Sequence, residues 1–272
     1  MRSHPDPFAH LPIDALEAMA AAGRDVERAR RALRQVGHNV VSALLEGQGP
    51  FYEWDHYPAM DVHDIATGAQ YFYHAHPPDA DFPEHGHFHC FLRLGETGSE
   101  VRDKRRRPVA RKEQALAHLV AISMDPAGEP IRLFVVNRWM TGETWLKGGL
   151  VAALLDRFDV THGHPCEPVN RWIAAMLRLF RPQIDRLLRR RDRCIADWRR
   201  RHPGRDALED RRLGVLAQEP ISVAGQIAAV ERALAARTAG SEGASAPGSR
   251  RTKRRAEPGR REPRGRSASG RA

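Results

Sequence analysis

The feature that most constrains the fold is a pair of short segments in which histidines alternate with apolar residues. Five histidines fall within the sixteen residues 74–89. Side chains in a β-strand point alternately to the two faces of a sheet, so a hairpin would gather these histidines on one face. The opposite face would pack on a core, and it would carry Tyr71, Tyr73, Phe88, Cys90, Leu92 and Leu94. The pattern predicts a β-hairpin with one histidine-lined face and one apolar face.

The same alternation predicts which positions oppose one another. If residues 76 and 85 close the hairpin, position 74 lies opposite 87 and position 72 lies opposite 89. Directly opposed side chains of an antiparallel pair share a face and lie about 5 Å apart. We therefore expect three or four imidazole nitrogens to approach one point, with the Glu84 carboxylate as an additional oxygen donor.

This set of donors is typical of a metal site. Neutral imidazole is a common ligand, and a catalytic metal often keeps an open position for water or substrate beside its protein ligands. A nitrogen-rich set with one carboxylate suits a divalent transition metal such as Zn, Fe or Mn, and also Cu or Ni, and ligand type does not choose among them. The candidate ligands are His74, His76, His85 and His87, followed by His89 and Glu84. The alternative is a surface of hydrogen-bonded or partly protonated histidines.

Two further groups of polar residues could contribute. The segment THGHPCE supplies His162, His164 and Cys166 as secondary candidates. They either complete the first site, form one of their own, or belong to a polar loop that leads into a helix. The irregular stretch before the first histidine strand carries His56, Asp61, His63 and Asp64. Loops of this kind often close over a site that a rigid sheet carries.

Periodic apolar residues place helices on both sides of the predicted strands. Spacings of three and four predict helices over residues 12–36, 38–45, 147–158, 206–217 and 222–237, and over 168–201 with a break at Pro182. Asn39 and Ser222 are predicted N-caps. Strands are expected at residues 70–76, 85–94, 119–124 and 131–137. This order predicts an α+β fold, with a small antiparallel sheet of about four strands flanked by helices in one domain over residues 1–236.

The basic charge of the chain is concentrated at its C-terminal end. The formal net charge is +10, and residues 237–272 hold eleven Lys or Arg against three Glu, which leaves about +2 for the rest. These residues include no Leu, Ile, Val, Phe, Tyr or Trp, so we predict a disordered Arg-rich tail. Two interpretations stay open, which are weak nonspecific contact with nucleic acid through its phosphates and a solubilising extension.

Nothing in the sequence predicts a membrane segment or an oxidising compartment. No stretch approaches the ~20 apolar residues that span a bilayer, and the N-terminal residues lack the pattern of a secretory signal. Cys90, Cys166 and Cys194 are an odd number of cysteines without repeating spacing, which fits reduced thiols. We expect a cytoplasmic protein with no membrane partner.

A short motif resembles that of a known enzyme family. HGHFHCF, residues 85–91, is similar to the His-x-His-x-His signature of the histidine triad nucleotide hydrolases and transferases. The resemblance implies that His87 would act as a nucleophile on phosphorus. It covers seven residues, and Gly86 stands where that family usually has an apolar residue.

A wider pattern resembles a bacterial family known as a domain of unknown function. The blocks that carry the resemblance are YFYHAH, EHGHFH, NRWMTGETW and THGHP, and it covers roughly residues 10–237. The resemblance implies a single domain and no established activity. Three hypotheses therefore stay open: a metal-dependent oxidoreductase or hydrolase with an unidentified small-molecule substrate, a histidine triad enzyme with His87 as nucleophile, and a non-enzymatic metal-binding or nucleic-acid-associated protein.

Overall fold

The fold is built on an antiparallel sheet in which neighbouring strands follow one another along the chain. The structure is a computed structural model, and it describes residues 8, 10–77, 84–95 and 115–244. Within these residues six strands form one sheet, the meander sheet, in the order β1 to β6. The strands are β1 (Tyr57–His63), β2 (Ala69–His74), β3 (Gly86–Leu94), β4 (Ala115–Met124), β5 (Pro130–Val136) and β6 (Val215–Pro220).

Helices precede, follow and interrupt the sheet, which confirms the α+β prediction. They are α1 (Ile13–Gln35), α2 (Val40–Leu45), α3 (Arg138–Thr141), α4 (Gly148–Leu154), α5 (Glu167–Leu179), α6 (Arg181–Arg201) and α7 (Val223–Ala244), and a 3₁₀ turn (Leu155–Arg157) follows α4. Asn39 caps α2, where its Oδ1 accepts a hydrogen bond from the Ser42 N–H at 2.8 Å. The Ser222 Oγ accepts from the Gly225 N–H at 3.2 Å at the start of α7. The predicted break near Pro182 is also confirmed, because α5 and α6 meet at Phe180.

One face of the meander sheet forms the core with α1, α5 and α6. Tyr71, Tyr73, Phe88 and Cys90 lie on this face and are fully buried, as their alternation predicts. The Phe88 ring packs against the Trp172 indole of α5, with centroids 5.8 Å apart. The histidines that alternate with these residues are thereby directed to the other face of the sheet.

The predicted number of strands was too low, because β1 and β6 were missed. β1 is an edge strand with Pro58 near its start, and its pairing with β2 is interrupted between Tyr57 and Val62. Proline and irregular register are features that weaken a strand pattern.

The helix predicted over residues 206–217 is wrong. In the structure residues 215–220 form β6 and pair with β5. The apolar spacing has another origin, since Ala207, Leu208 and Leu216 pack around Ile195 of α6 as a small separate cluster.

The C-terminal helix extends beyond the predicted start of the tail. α7 continues through residue 237 to Ala244. The Arg237 guanidinium donates to the carbonyl oxygens of Leu11 and Phe8, at 3.0 and 3.4 Å. The remainder of the predicted tail, residues 245–272, lies outside the described residues. Within the described part of the chain, no helix has both the length and the apolar character needed to cross a bilayer.

Candidate metal centre

Three histidines of β2 and β3 converge on the face of the meander sheet opposite the core. The predicted register is confirmed, with His74 opposite His87 and Phe72 opposite His89. The His87 Nε2 atom lies 2.7 Å from the His74 Nε2 and 3.0 Å from the His89 Nε2. His87 and His89 are buried, and His74 is half-buried. We call His74, His87 and His89 the histidine cluster.

The spacing within the histidine cluster fits ligands of one metal ion. Nitrogen ligands that each lie roughly 2 Å from a metal lie about 3 Å from one another. The donor atoms of the three residues all lie within 4.8 Å of one another. The His87 Nε2 lies between the Nε2 atoms of His74 and His89. In a neutral ring this nitrogen has either one proton or one lone pair, so it can form a good hydrogen bond with only one of the two at a time. A metal would satisfy all three lone pairs together.

Glu84 fixes the orientation of His87. One carboxylate oxygen accepts from the His87 Nδ1–H, and the other accepts from the Ser123 hydroxyl and from the Arg132 Nη2, the latter at 2.6 Å. Ser123 lies opposite His87 and Arg132 lies opposite Ser123, so these polar residues form one row across β3, β4 and β5. Because Nδ1 carries the proton, the Nε2 of His87 is left with a lone pair directed at the cluster.

His118 of β4 plays the same part for His89 and was missed by the sequence analysis. Its Nε2 lies 3.0 Å from the His89 Nδ1. If the His89 Nδ1 donates to this nitrogen, the His89 Nε2 is free to coordinate. Ser123 lies on the same face as His87, and regular alternation along β4 would put position 119, not 118, on that face. A bulge between the Cys90 and Phe91 positions reverses this, so that Phe91 faces His118.

The backbone of His118 is held by a second buried carboxylate. Its N–H donates to the Glu143 Oε2 at 2.9 Å. Burial raises the pKa of Glu143 to about 7, although the nearby Arg191 charge acts in the opposite direction. Glu143 belongs to the NRWMTGETW block, one of the blocks that carry the family resemblance.

Burial keeps the imidazoles of this site uncharged at neutral pH. Desolvation, aided by neighbouring groups such as His87, lowers the pKa of His74 to about 3. Desolvation and the Arg191 charge lower the pKa of His118 to about 3, and burial also lowers the pKa of His89 well below its ordinary value. The pKa of His87 is lowered by burial too, against the opposing effect of Glu84.

Glu84 itself is held in its charged form. Burial raises the pKa of this carboxyl, but the hydrogen bonds from His87, Ser123 and Arg132 outweigh it and lower the pKa to about 2. The site therefore combines neutral imidazole donors with one anionic oxygen group, which is the protonation state that metal ligands require.

His76 adds a second group of donors on the open side. His76, Glu84 and His87 also have ligand atoms within 4.8 Å of one another. The His76 ring centroid lies 4.8 Å from that of His87, and the Trp54 indole packs against it at 5.0 Å. Among the described residues, His74 and His76 are half-buried while His87 is buried, so the more accessible side of the centre is the one that carries Trp54.

The structure places His85 apart from the other candidate ligands. Its Nδ1 forms a hydrogen bond with the Tyr73 hydroxyl at 2.6 Å, and its ring stacks near Phe51 with centroids 5.7 Å apart. β3 begins after it, at Gly86, where a Cβ would lie 2.5 Å from the His74 carbonyl oxygen. The close approach of the His74 carbonyl leaves no room for a side chain at position 86.

The secondary candidates lie in a separate polar region at the start of α5. The His162 Nε2 donates to the His63 carbonyl at 3.2 Å, and Asn170 donates to the carbonyls of His162 and His164, each at 2.9 Å. Cys166 is the residue before α5. Among the described residues, two groups have donor atoms close enough together to hold a metal. Neither group includes a residue from this region.

Asp64 links this region to the end of β1. Its carboxylate accepts from the Thr161 N–H at 2.6 Å and from the Thr161 hydroxyl at 2.7 Å. Despite burial, these hydrogen bonds and that from Thr67 lower the pKa of Asp64 to about 2. Asp64 therefore stabilises the loop that carries His162, and its oxygens are already occupied.

The fold and the site define an α+β protein whose meander sheet presents a cluster of histidine donors on one face. The chain belongs to the family described as Domain of unknown function (DUF6969), whose model matches residues 20–221. The match spans β1 to β6 and every residue of the histidine cluster. No curated protein and no solved structure matches the chain. The predicted membership of a domain-of-unknown-function family is confirmed.

Proposed function

We propose that this protein binds a divalent transition metal through the Nε2 atoms of His74, His87 and His89. One observation carries the proposal, namely that these atoms meet at 2.7 and 3.0 Å while the other ring nitrogens of His87 and His89 are held by Glu84 and His118. Hydrogen bonds from the second ring nitrogen are the usual means of fixing the tautomer and direction of a ligating histidine.

The remaining donors have different parts in this proposal. Glu84 already accepts three hydrogen bonds, so it orients His87 and neutralises charge rather than serving as a main ligand. His76 lies on the open side and supplies an exchangeable fourth ligand. Neutral imidazoles leave the ion its full charge, so a bound water would be acidified and a substrate oxygen polarised.

The reaction that fits this centre is metal-dependent oxidation–reduction or hydrolysis of a small molecule. Three histidine ligands with a more exposed side match the pattern of catalytic centres, whereas structural zinc sites are usually closed by four ligands. Imidazole ligands suit Zn, Fe and Mn alike, and elemental analysis of the purified protein identifies the bound metal.

The geometry favours a ligand role over a nucleophilic role for His87. Only 3% of its surface is exposed, its Nε2 faces two other imidazoles, and its Nδ1 faces Glu84. A nucleophile needs an approach path for the phosphorus atom that it attacks. Activity on nucleotide phosphoramidates that depends on His87 and resists chelators would support the histidine triad alternative instead.

Elemental analysis of protein purified without a histidine tag tests the proposal. We expect stoichiometric metal in the wild type, strong loss in His87→Ala and His89→Ala, and retention in His85→Ala, which is a matched control from the same motif. Retention of full metal stoichiometry in a triple variant that lacks His74, His87 and His89 would contradict the proposal.

A further inference from the structure

A chain of hydrogen bonds fixes His56 beside the candidate metal centre. The His56 Nδ1 lies 3.0 Å from the Asp61 Oδ1, and the Asp61 Oδ2 accepts from the Gln70 Nε2 at 2.7 Å. The Gln70 Oε1 in turn accepts from the Arg93 Nε at 2.9 Å. Because a carboxylate oxygen only accepts, the His56 Nδ1 carries a proton, and in the neutral ring Nε2 is therefore an acceptor.

The ring of His56 is partly exposed and packs against the side of the histidine cluster formed by His74. It stacks on Phe72 with centroids 3.5 Å apart and planes 10° apart, and it meets His74 edge to face at 5.8 Å. Its side chain is 42% exposed. His56 thus stands on the accessible side of the centre, with its ring plane set by Phe72 and its tautomer set by Asp61.

The backbone around His56 is held in an unusual conformation. Asp61 has a φ of 51° and Trp54 a φ of 72°, in the left-handed region that residues other than glycine rarely adopt. Asp61 lies in the interruption of the β1 and β2 pairing between Tyr57 and Val62. Bulges beside functional sites often redirect a side chain, and here the bulge brings the Asp61 carboxylate to His56.

We infer that His56 recognises the ligand of the metal centre by accepting a hydrogen bond at Nε2. The class of ligand that fits is a small molecule that binds the metal through an oxygen and carries an N–H or O–H donor beside that oxygen. This inference rests on the proposed metal site, and it adds a residue outside the histidine cluster. Asp61 is a positioning residue, because it acts through His56.

Two hydroxamates test this recognition in protein loaded with Co²⁺. Acetohydroxamic acid has an N–H beside its metal-binding oxygens, and N-methylacetohydroxamic acid lacks that donor. We expect the wild type to prefer the first over the second by roughly tenfold, the size of one hydrogen bond made in a partly enclosed site. The visible spectrum of the bound Co²⁺ reports each affinity.

Two variants separate hydrogen bonding from packing. His56→Phe keeps the aromatic stack on Phe72 but has no acceptor, so the preference should disappear while Co²⁺ binding persists. Asp61→Asn is more specific. Arg93 holds the amide of Gln70 with its N–H₂ towards residue 61, so the asparagine oxygen must accept from Gln70 and its own N–H₂ must face His56. His56 then carries its proton on Nε2 and loses the acceptor.

Nitrogen NMR of the metal-free protein gives a second readout that a packing role would not change. We expect His56 to carry its proton on Nδ1 in the wild type and on Nε2 in Asp61→Asn. A wild type that binds Co²⁺ but binds both hydroxamates equally would overturn the inference and leave the metal site standing. A wild type that binds no Co²⁺ would overturn the proposed function, and the inference with it.

Discussion

Removal of the His118 imidazole should weaken metal binding although His118 is not a proposed ligand. The side chain is 1% exposed, and its Nε2 lies 3.0 Å from the His89 Nδ1. In His118→Leu the volume is nearly kept, but the His89 ring loses the partner that fixes its tautomer. Loss of an outer partner of a ligating histidine lowers metal affinity by roughly 10- to 100-fold, which is about 1.4–2.7 kcal/mol.

Competition with a chromophoric chelator measures this effect. We expect Zn²⁺ affinity to fall by roughly 10- to 100-fold in His118→Leu and to recover largely in His118→Gln, because the glutamine oxygen can accept from the His89 Nδ1–H. His10→Ala, at an exposed position outside the site, is the control and should leave the affinity unchanged. Wild-type affinity in a folded His118→Leu variant would show that His118 does not position His89.

Three further predictions follow from the same contacts. Gly86→Ala places a Cβ 2.5 Å from the His74 carbonyl oxygen, so we expect about 1–3 kcal/mol of destabilisation by thermal melting, whereas Gly149→Ala in α4, which meets nothing within 4 Å, should stabilise slightly. In Glu84→Gln an N–H₂ group replaces one carboxylate oxygen and faces the hydrogen-bond donors of residues 87, 123 and 132. The orientation of His87 is then less well fixed, and metal affinity should fall roughly tenfold in the chelator titration. The pKa of His74 and of His118 is lowered to about 3 in the folded chain. The metal-free protein should therefore be most stable above about pH 6.5 and lose stability as the pH falls towards 3, by up to ~1.4 kcal/mol per pH unit for each such group. A flat profile of the unfolding free energy from about pH 7 to 4 would contradict the buried neutral state of these rings.

The hairpin register was predictable because it depends on local rules. Side chains alternate in twos, and a one-residue slip would bury His74 and expose Tyr73, so the apolar face selects a single register. The pairing of His74 with His87 follows from that choice. These contacts require no knowledge of the rest of the fold.

Two histidines whose positions do not follow from the alternation lie where it is interrupted. His85 has the parity of His87, but it precedes β3 and bonds to Tyr73 on the core side. His118 has the parity of a core residue, but the bulge opposite Phe91 turns it to the histidine face. A bulge depends on the pairing of two distant segments, so no period within either segment reveals it.

The cluster itself is unfavourable for folding, and this favours a functional origin. Burial lowers the pKa of His74 and His118 to about 3, and it lowers the pKa of His89 well below its ordinary value. The chain therefore gives up hydration of several polar rings on a sheet face that Phe72 and Phe134 otherwise make apolar. Apolar side chains at these positions would pack without that loss. A metal that binds only the folded state would restore stability by mass action, since it would coordinate three nitrogens that cannot all hydrogen bond to one another. Sites that break local rules of folding without a structural gain are where function is expected.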